Sequence, residues 1–306
     1  MRKSNGKPPG GLRMSNETFS DPDALVTGDW LESRLGDPGL RVFDCTTELV
    51  LEEGTGRPYR VVSGRDGYEA GHVPGAGYLD LQRDFSVQDS PYSFTLPAAR
   101  DAATAFERHG VGDGSRVVLY SRTSLPWATR FWWMLRWLGF DNAAVLDGGY
   151  AKWVAEGRPV SIDPCRYPPG TLTVAERPGL FVGRGEVLAG IGNPAVCTIN
   201  ALGPDVHAGE NPRYGRPGRI PGSVNVPAPA LVDPGTMELL PPSQIARAFS
   251  AAGADPAGRT ITYCGGGIFA TLDAFLLHQL GFRDVAVYDN SMSEWATDET
   301  LPIETD

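Results

Sequence analysis

The sequence contains two copies of one pattern, and this internal repeat limits the possible folds more than any other feature of the chain. Three pairs of matching residues lie 147, 143 and 142 positions apart: Pro74 and Pro221, Tyr120 and Tyr263, and Trp153 and Trp295. Offsets that change so little over such a length indicate a duplicated domain rather than an array of small repeats. The chain is therefore expected to form two related domains.

Strand-like and helix-like segments alternate in the same order in both copies. Residues 115–120 and 259–263 are β-rich runs, and residues 129–138 and 270–280 are apolar segments compatible with helices. Near the start of the first copy, residues 25–35 predict a short helix. Such alternation is typical of mostly parallel sheets covered by helices on both faces. We predict an α/β fold with two tandem domains, each a mostly parallel sheet flanked by helices.

Proline content marks the boundary between the two domains. Five prolines fall within residues 159–180, a composition typical of a linker. We predict a first domain at 23–158, a Pro-rich linker at 159–180 and a second domain at 181–306. Residues 1–22 are expected to form a disordered tail, in which either Met1 or Met14 is the native start. This tail has no apolar core of the kind found in secretory signals.

Charge and cysteine usage exclude several classes of protein. The net charge of −10 argues against a general binder of nucleic acid or of anionic membranes. The sequence has no run of 18 apolar residues, so no membrane span is predicted. The four cysteines are scattered without a C-x-x-C pair, so neither a zinc site nor a disulfide framework is predicted, and a cytoplasmic location is expected.

The segment 264–270, Cys-Gly-Gly-Gly-Ile-Phe-Ala, joins a predicted strand to a predicted helix. Glycines allow the backbone to curl so that successive N–H groups converge, and the start of a helix adds positive partial charge. A thiol in such a place ionises more readily, and the thiolate is the nucleophile. We predict that Cys264 is catalytic and that the loop cradles an anion through six residues: Gly265, Gly266, Gly267, Ile268, Phe269 and Ala270. The segment lacks the spacing of a nucleotide-binding fingerprint.

The ordered motifs of both halves resemble those of the tandem rhodanese-type sulfurtransferases. In the second half these are residues 219–226 (RIPGSVNV), 264–270 (CGGGIFA) and 287–295 (VYDNSMSEW). In the first half they are residues 72–76 (HVPGA), 132–136 (WWMLR) and 145–149 (VLDGG). The resemblance extends from about residue 25 to the C-terminus. It implies that only the second domain is catalytic, because Ser121 stands where the first copy would have its cysteine.

The resemblance implies a sulfurtransferase that works by a ping-pong mechanism. The Cys264 thiolate takes the outer sulfur of a small donor such as thiosulfate or 3-mercaptopyruvate and becomes a persulfide. Cyanide or a thiol, including a protein thiol, then accepts that sulfur. No cofactor is expected beyond the covalent persulfide on Cys264, and no metal is expected. The Gly265-Gly266 pair matches the loops of neither donor class, and we expect thiosulfate ahead of 3-mercaptopyruvate.

The family also implies basic residues that bind the anionic group of the donor. Arg213 stands at a matching position, and His207 stands where a second arginine is usual. An imidazole holds an anion less firmly than a guanidinium does. His72, before the Pro-Gly turn of the first domain, is a further candidate for the cleft.

Two other functions remain open from the sequence. A persulfide carrier or regulatory binding module would keep Cys264 and its loop but serve a partner protein. A rhodanese-fold phosphatase is less favoured, because its Cys-x5-Arg loop requires an arginine where this chain has Ala270.

Overall fold

The structure is a computed structural model that describes residues 18–51 and 58–306. Most of the predicted tail, including Met1 and Met14, lies outside the described residues. In the described part of the chain, no helix is both long enough and apolar enough to span a bilayer.

The first domain is built on a five-stranded sheet whose strand pairs are all parallel, in the order β1-β7-β6-β2-β5. Its strands are β1 (Leu25–Val26), β2 (Leu40–Asp44), β5 (Gly77–Tyr78), β6 (Arg116–Tyr120) and β7 (Ala143–Leu146). A separate antiparallel hairpin is formed by β3 (Thr47–Val50) and β4 (Arg60–Ser63). The helices of the first domain are α1 (Gly28–Glu32), α2 (Arg65–Ala70), α3 (Leu81–Asp84), α4 (Ala99–Arg108), α5 (Pro126–Trp137) and α6 (Gly149–Ala155).

The second domain repeats this sheet, in the order β10-β9-β11-β12-β8. Its strands are β8 (Phe181–Val182), β9 (Val196–Asn200), β10 (Val224–Asn225), β11 (Arg259–Tyr263) and β12 (Val285–Tyr288). Its helices are α7 (Arg184–Gly190), α8 (Pro204–Ala208), α9 (Pro242–Ala251), α10 (Phe269–Gln279) and α11 (Ser291–Trp295). The strand order matches that of the first sheet strand for strand, and the predicted α/β fold of two parallel-sheet domains is confirmed.

The matched tyrosines of the repeat occupy equivalent places in the two sheets. Tyr120 and Tyr263 each end the central strand of their sheet. The backbone N–H of Val73 donates to the Tyr120 hydroxyl at 3.3 Å, and that of Ile220 donates to the Tyr263 hydroxyl at 3.2 Å. These bonds tie each Pro-Gly turn to its sheet, which explains why turn and tyrosine recur together.

The start of the first domain differs from the sequence-based prediction. Residues 25–35 were expected to form one helix, but Leu25 and Val26 pair with β7 as β1, and α1 begins only after Thr27. The Thr27 side chain accepts a hydrogen bond from the Trp30 N–H and so caps α1. Parallel pairing with the buried strand β7 outweighs the weak local preference for a helix.

Residues 159–180 contain no helix and no continuous strand, and Ser161 forms an isolated bridge with His72 of the first domain. Tyr167 donates to the Gly75 carbonyl at 2.6 Å, and the Ala175 N–H donates to the Leu138 carbonyl at 2.9 Å. The predicted linker therefore packs along its length against the first domain.

The two domains pack against each other through α5 and α10. The hydroxyls of Thr129 and Thr271, which occupy equivalent positions in the repeat, are 2.9 Å apart. Beside them the fully buried Arg130 donates to the Gly267 carbonyl at 3.1 Å and to the Asp289 carboxylate at 2.7 Å. Contact between equivalent residues indicates a pseudo-twofold relation between the domains.

Candidate active site

Cys264 follows β11 directly, at the carboxyl end of the second sheet. Its Sγ accepts a hydrogen bond from the Ile268 N–H at 3.2 Å, and the thiol is almost fully buried, with 2% exposure. The predicted glycine loop is thus a turn that brings the backbone of Ile268 back to the sulfur. The positive end of α10, which begins at Phe269, faces the same loop.

Three hydrogen bonds connect the glycine loop to the first residues of α11. The Cys264 N–H donates to the Ser291 hydroxyl at 3.0 Å, and the Met292 N–H donates to the Cys264 carbonyl at 3.0 Å. The Ser293 N–H donates to the Gly265 carbonyl at 2.8 Å. Because these carbonyls are occupied, the loop can direct N–H groups toward the sulfur.

Cys264 opens into a cavity of about 340 Å³ between the domains. The first domain contributes the β3–β4 hairpin and the start of α5, and the second domain contributes the glycine loop and Tyr214. The lining residues are Thr47, Glu48, Leu49, Tyr59, Phe94, Thr123, Ser124, Pro126, Trp127, Tyr214, Cys264, Gly265, Gly266, Ile268 and Phe269. Apolar and aromatic groups dominate, and none of the described lining residues is a lysine or an arginine.

Tyr59 and Tyr214 line the Cys264 cavity beside the glycine loop. Their rings meet edge to face with centroids 6.5 Å apart. Burial, reinforced by the negative charge of Cys264, raises the pKa of Tyr59 to about 12, although a hydrogen bond with Ser293 opposes the rise. Burial, with Tyr59 and Cys264 adding to it, also raises the pKa of Tyr214. Both phenols therefore stay protonated at physiological pH and can donate hydrogen bonds.

At each of the three loop glycines a side chain would approach a different neighbouring residue. A Cβ at Gly265 would lie 2.1 Å from the Tyr214 hydroxyl, and a Cβ at Gly266 would lie 3.3 Å from the Tyr59 hydroxyl. Gly267 has a φ of +71°, and its Cβ would lie 2.4 Å from the Asp289 carbonyl. The two tyrosines occupy the space that loop side chains would fill. Sequence reasoning missed them, although Tyr214 is next to the predicted Arg213.

The first domain carries the same loop framework without a thiol. Ser121 is buried, and its hydroxyl accepts hydrogen bonds from the N–H groups of Thr123 and Ser124, each at 3.3 Å. The Tyr150 N–H donates to the Ser121 carbonyl at 3.0 Å, as Met292 does to Cys264. The equivalence of Ser121 and Cys264 is therefore visible in the backbone.

Arg213 lies beside the cavity rather than in its lining. The residue is exposed, and its guanidinium lowers the pKa of Tyr214 against the larger effect of burial. Its side chain interacts with the Tyr214 hydroxyl instead of lining the cavity, and a role for Arg213 in binding the donor stays a prediction.

The structure places His207 away from the Cys264 cavity. His207 lies on α8, and its Nδ1 is 3.2 Å from the Asn200 side-chain amide. Burial, together with the charge of Arg219, lowers the pKa of His207 to about 4. Its imidazole is neutral at physiological pH and does not line the cavity, so it does not replace the missing arginine there.

His72 is also separated from Cys264. It stacks on Tyr68, and its ring nitrogens lie 2.8 Å from the Tyr68 carbonyl and 3.0 Å from the Asp163 carbonyl. It lines a different cavity, between the first domain and the linker. Both ring nitrogens are engaged with backbone carbonyls, so His72 attaches the linker instead of contacting the donor.

No group of three or more potential metal ligands occurs within residues 18–51 and 58–306. The Cys264 loop itself offers one thiol and backbone N–H groups, which suit an anion rather than a cation.

Known proteins resemble this chain in sequence and in fold. The family profile described as "Rhodanese-like domain" matches residues 27–156 and 205–298. A probable 3-mercaptopyruvate sulfurtransferase of Pseudomonas aeruginosa is 32% identical, covering 92% of this chain and 98% of that protein. The sulfur carrier protein TtuD of Thermus thermophilus is 29% identical, covering 93% and 98%.

Further relatives include proteins named for either donor. The thiosulfate sulfurtransferase of Corynebacterium glutamicum is 29% identical, covering 94% of this chain and 93% of that protein. Among solved structures, the 3-mercaptopyruvate sulfotransferase SseA of Escherichia coli superposes with a TM-score of 0.75 at 28% identity, covering 88% of this chain and 98% of that one.

Proposed function

The chain belongs to the rhodanese-like domain family, as the sequence predicted, and we propose that it is a sulfurtransferase that carries sulfur as a persulfide on Cys264. The observation that carries this proposal is a buried thiol held by the Ile268 N–H at the bottom of an interdomain cavity. A small donor can enter such a cavity while bulk water is largely kept out.

In the first half-reaction the Cys264 thiolate attacks the outer sulfur of the donor. With thiosulfate the new bond joins Sγ to that sulfur, the donor S–S bond breaks, and sulfite leaves with its electron pair. With 3-mercaptopyruvate the C–S bond breaks, and the leaving enolate takes up the proton of the donor thiol to become pyruvate. The Ile268 N–H stabilises the negative charge on sulfur in either case.

Of the two donors, we propose 3-mercaptopyruvate ahead of thiosulfate, which reverses the order expected from the sequence. Thiosulfate is a dianion and loses sulfite without a proton, so its binding depends on cations. The described lining of the cavity carries Glu48 and no lysine or arginine. 3-Mercaptopyruvate carries a single negative charge, and hydrogen-bond donors stabilise the enolate that leaves before it takes up the proton of the donor thiol. The protonated phenols of Tyr59 and Tyr214 can hydrogen-bond to that enolate, with Arg213 polarising Tyr214.

The proposed acceptors are cyanide and thiols, including a protein thiol, and the proposed location is a reducing cytoplasm. All four cysteines are free thiols, as a reducing compartment would keep them.

The persulfide carrier is a second candidate, because one relative is named a sulfur carrier protein. Cys264 is 2% exposed, which favours small reactants over direct docking of a partner protein. Steady turnover with low-molecular-weight acceptors would separate the enzyme from the carrier.

The decisive experiment follows sulfur on Cys264 itself. Purified protein incubated with 3-mercaptopyruvate or thiosulfate is expected to gain the mass of one sulfur atom at Cys264 and to transfer it to cyanide as thiocyanate. Cys264→Ser should abolish both steps, whereas the matched change Cys197→Ser should leave them unchanged. Transfer by Cys264→Ser at the parent rate would refute the assignment.

Comparison of pyruvate and sulfite release in the same assay tests the donor order. A higher kcat/KM for thiosulfate would restore the order expected from the sequence.

A further inference from the structure

Phe94 of the first domain packs against the catalytic loop of the second. Its side chain is buried, with 1% exposure, and it lines the Cys264 cavity. A Cβ at Gly266 would lie 3.6 Å from the Phe94 Cδ2 atom, and the Phe94 ring meets that of Trp127 edge to face with centroids 5.5 Å apart. The ring therefore forms an apolar wall opposite the loop residue two positions after Cys264.

The backbone of Phe94 has a conformation that bulky residues rarely adopt. Its φ is +65°, and only Met237 and Ser291 share a positive φ among the non-glycine residues that the structure describes. Such a conformation is costly and persists only where the surrounding contacts enforce it. A position of this kind, next to a reactive thiol, is a candidate for a functional role.

Hydrogen bonds from both domains hold Phe94 and its neighbours in place. The Phe94 N–H donates to Gln82 Oε1 at 3.2 Å, and the buried Arg130 donates to the Phe94 carbonyl at 2.9 Å. The Leu96 N–H donates to the Asp289 carboxylate of the second domain at 2.7 Å. Arg130 binds the same carboxylate and a carbonyl of the catalytic loop. The backbone that carries the ring is therefore fixed relative to the loop.

The repeat supplies an internal comparison for this arrangement. Met237 lies 143 positions after Phe94, which is one of the offsets of the repeat, and has a φ of +60°. The Leu239 N–H donates to the Asp147 carboxylate of the first domain at 2.9 Å, which reproduces the crossing bond of the other half. The Met237 Cε atom would lie 3.7 Å from a Cβ at Gly149. Met237 therefore packs in the silent half as Phe94 packs beside the thiol.

We propose that Phe94 determines donor specificity by size: its ring limits the width of the Cys264 cavity beside the glycine loop and favours sulfur donors with a compact group over donors with a bulky one. The proposal rests on the sulfurtransferase function above. Because the backbone at this position is fixed, a bulky donor has to displace packed side chains, and well-packed interiors resist such displacement. A smaller residue at position 94 would widen the cavity at this point.

The test uses two donors that share a reacting group and a single negative charge but differ in size, methanethiosulfonate and para-toluenethiosulfonate. With either donor the Cys264 thiolate attacks the terminal sulfur, the donor S–S bond breaks, and the sulfinate leaves with its electron pair. The readout is the ratio of kcat/KM for the toluene donor to kcat/KM for the methane donor. Both values come from one preparation, so the fraction of folded protein cancels in the ratio.

Phe94→Ala is expected to raise this ratio about tenfold or more, because the change in pocket size exceeds the single methylene that already gives such discrimination. Phe94→Leu keeps part of the apolar volume, so it should raise the ratio less, and it provides the test if Phe94→Ala folds poorly. The matched control is Met237→Ala, which truncates the equivalent residue of the silent half outside the lining of the Cys264 cavity and should leave the ratio at the parent value.

Three results would overturn the proposal. An unchanged ratio in Phe94→Ala and Phe94→Leu would mean that the ring sets no size limit, and a lower ratio would make Phe94 a stacking partner for aromatic donors. An equal rise in Met237→Ala would attribute the effect to loosening of the whole interface. These results leave the sulfurtransferase function intact, whereas a parent protein that gained no sulfur at Cys264 from either donor would refute that function, and this inference with it.

Discussion

The Tyr214 hydroxyl occupies the space that a side chain at position 265 would need, and this close approach explains why the residue there is a glycine. The glycine loop and its cysteine were predictable, because a strand, three glycines and a helix are contiguous in the chain. Tyr59 was not predictable, since it precedes β4 in a polar stretch with no periodic pattern. Tyr214 was missed because its role depends on a close approach to Gly265 that no local motif encodes.

The close approach of Gly265 and Tyr214 predicts that the effects of substitutions at these two positions are not independent. Gly265→Ala places a Cβ 2.1 Å from the Tyr214 hydroxyl and should displace that ring. We expect kcat/KM for the donor to fall roughly tenfold, because a small misplacement of a positioning group is costly. Tyr214→Ala in the same protein makes room for the new methyl group, so the combined loss should be smaller than the two single losses together. Fully additive losses in this double-mutant cycle would show that the two residues do not share space.

At the scale of elements, α10 illustrates both the reach and the limit of sequence reasoning. Its apolar run predicted a helix from 270 to 280, and the helix spans Phe269–Gln279. The hairpin of β3 and β4 was not predicted, although it supplies part of the wall facing Cys264. Its four-residue strands have mixed burial, so the alternation that identifies a strand in sequence is absent.

The last turn of α10 also carries a titrating group. Burial, with the charge of Arg136 adding to it, lowers the pKa of His278 from 6.5 to about 4, and Asp21 at 3.8 Å opposes this only in part. Between these two values the unfolded chain binds more protons than the folded one. The free energy of unfolding should therefore fall as pH decreases from 6.5 toward 4.

The variant His278→Gln isolates this contribution. Carboxylates that titrate in the same range are common to parent and variant, so their effects cancel in the difference. Urea denaturation across this pH range should show a shallower loss in the variant, by up to about 3 kcal/mol. Parallel curves for the two proteins would contradict the role of His278.

At the scale of the whole molecule, the candidate active site lies at the interface between the two domains. The duplicated sequence predicted the two domains but not the contacts between them. Arg130 shows why: a positive charge in a helix dense in tryptophan gives no sign, in sequence, of its partners in the other domain. Arg130→Met leaves the Asp289 carboxylate unpaired in a largely buried place. We expect the free energy of unfolding to fall by about 3–5 kcal/mol.

The matched control for Arg130 is Arg100→Met, which breaks an exposed pair with Glu107. Surface pairs contribute about 1 kcal/mol or less, so this variant should unfold close to the parent. Equal denaturation midpoints for Arg130→Met and the parent would mean that the interface does not depend on the buried charge.

The contact between Thr129 and Thr271 has a consequence for how the molecule behaves on dilution. Equivalent residues that touch across a twofold axis are the signature of a symmetric dimer, and here both halves lie on one chain. A site shared by two separate subunits is lost when their concentration falls below the dissociation constant. Residues 159–180 tether the halves, so the local concentration of one domain around the other is constant however dilute the solution. An interdomain active site of this kind remains assembled in a single molecule, and one copy is free to lose its nucleophile while it serves as the wall of the other.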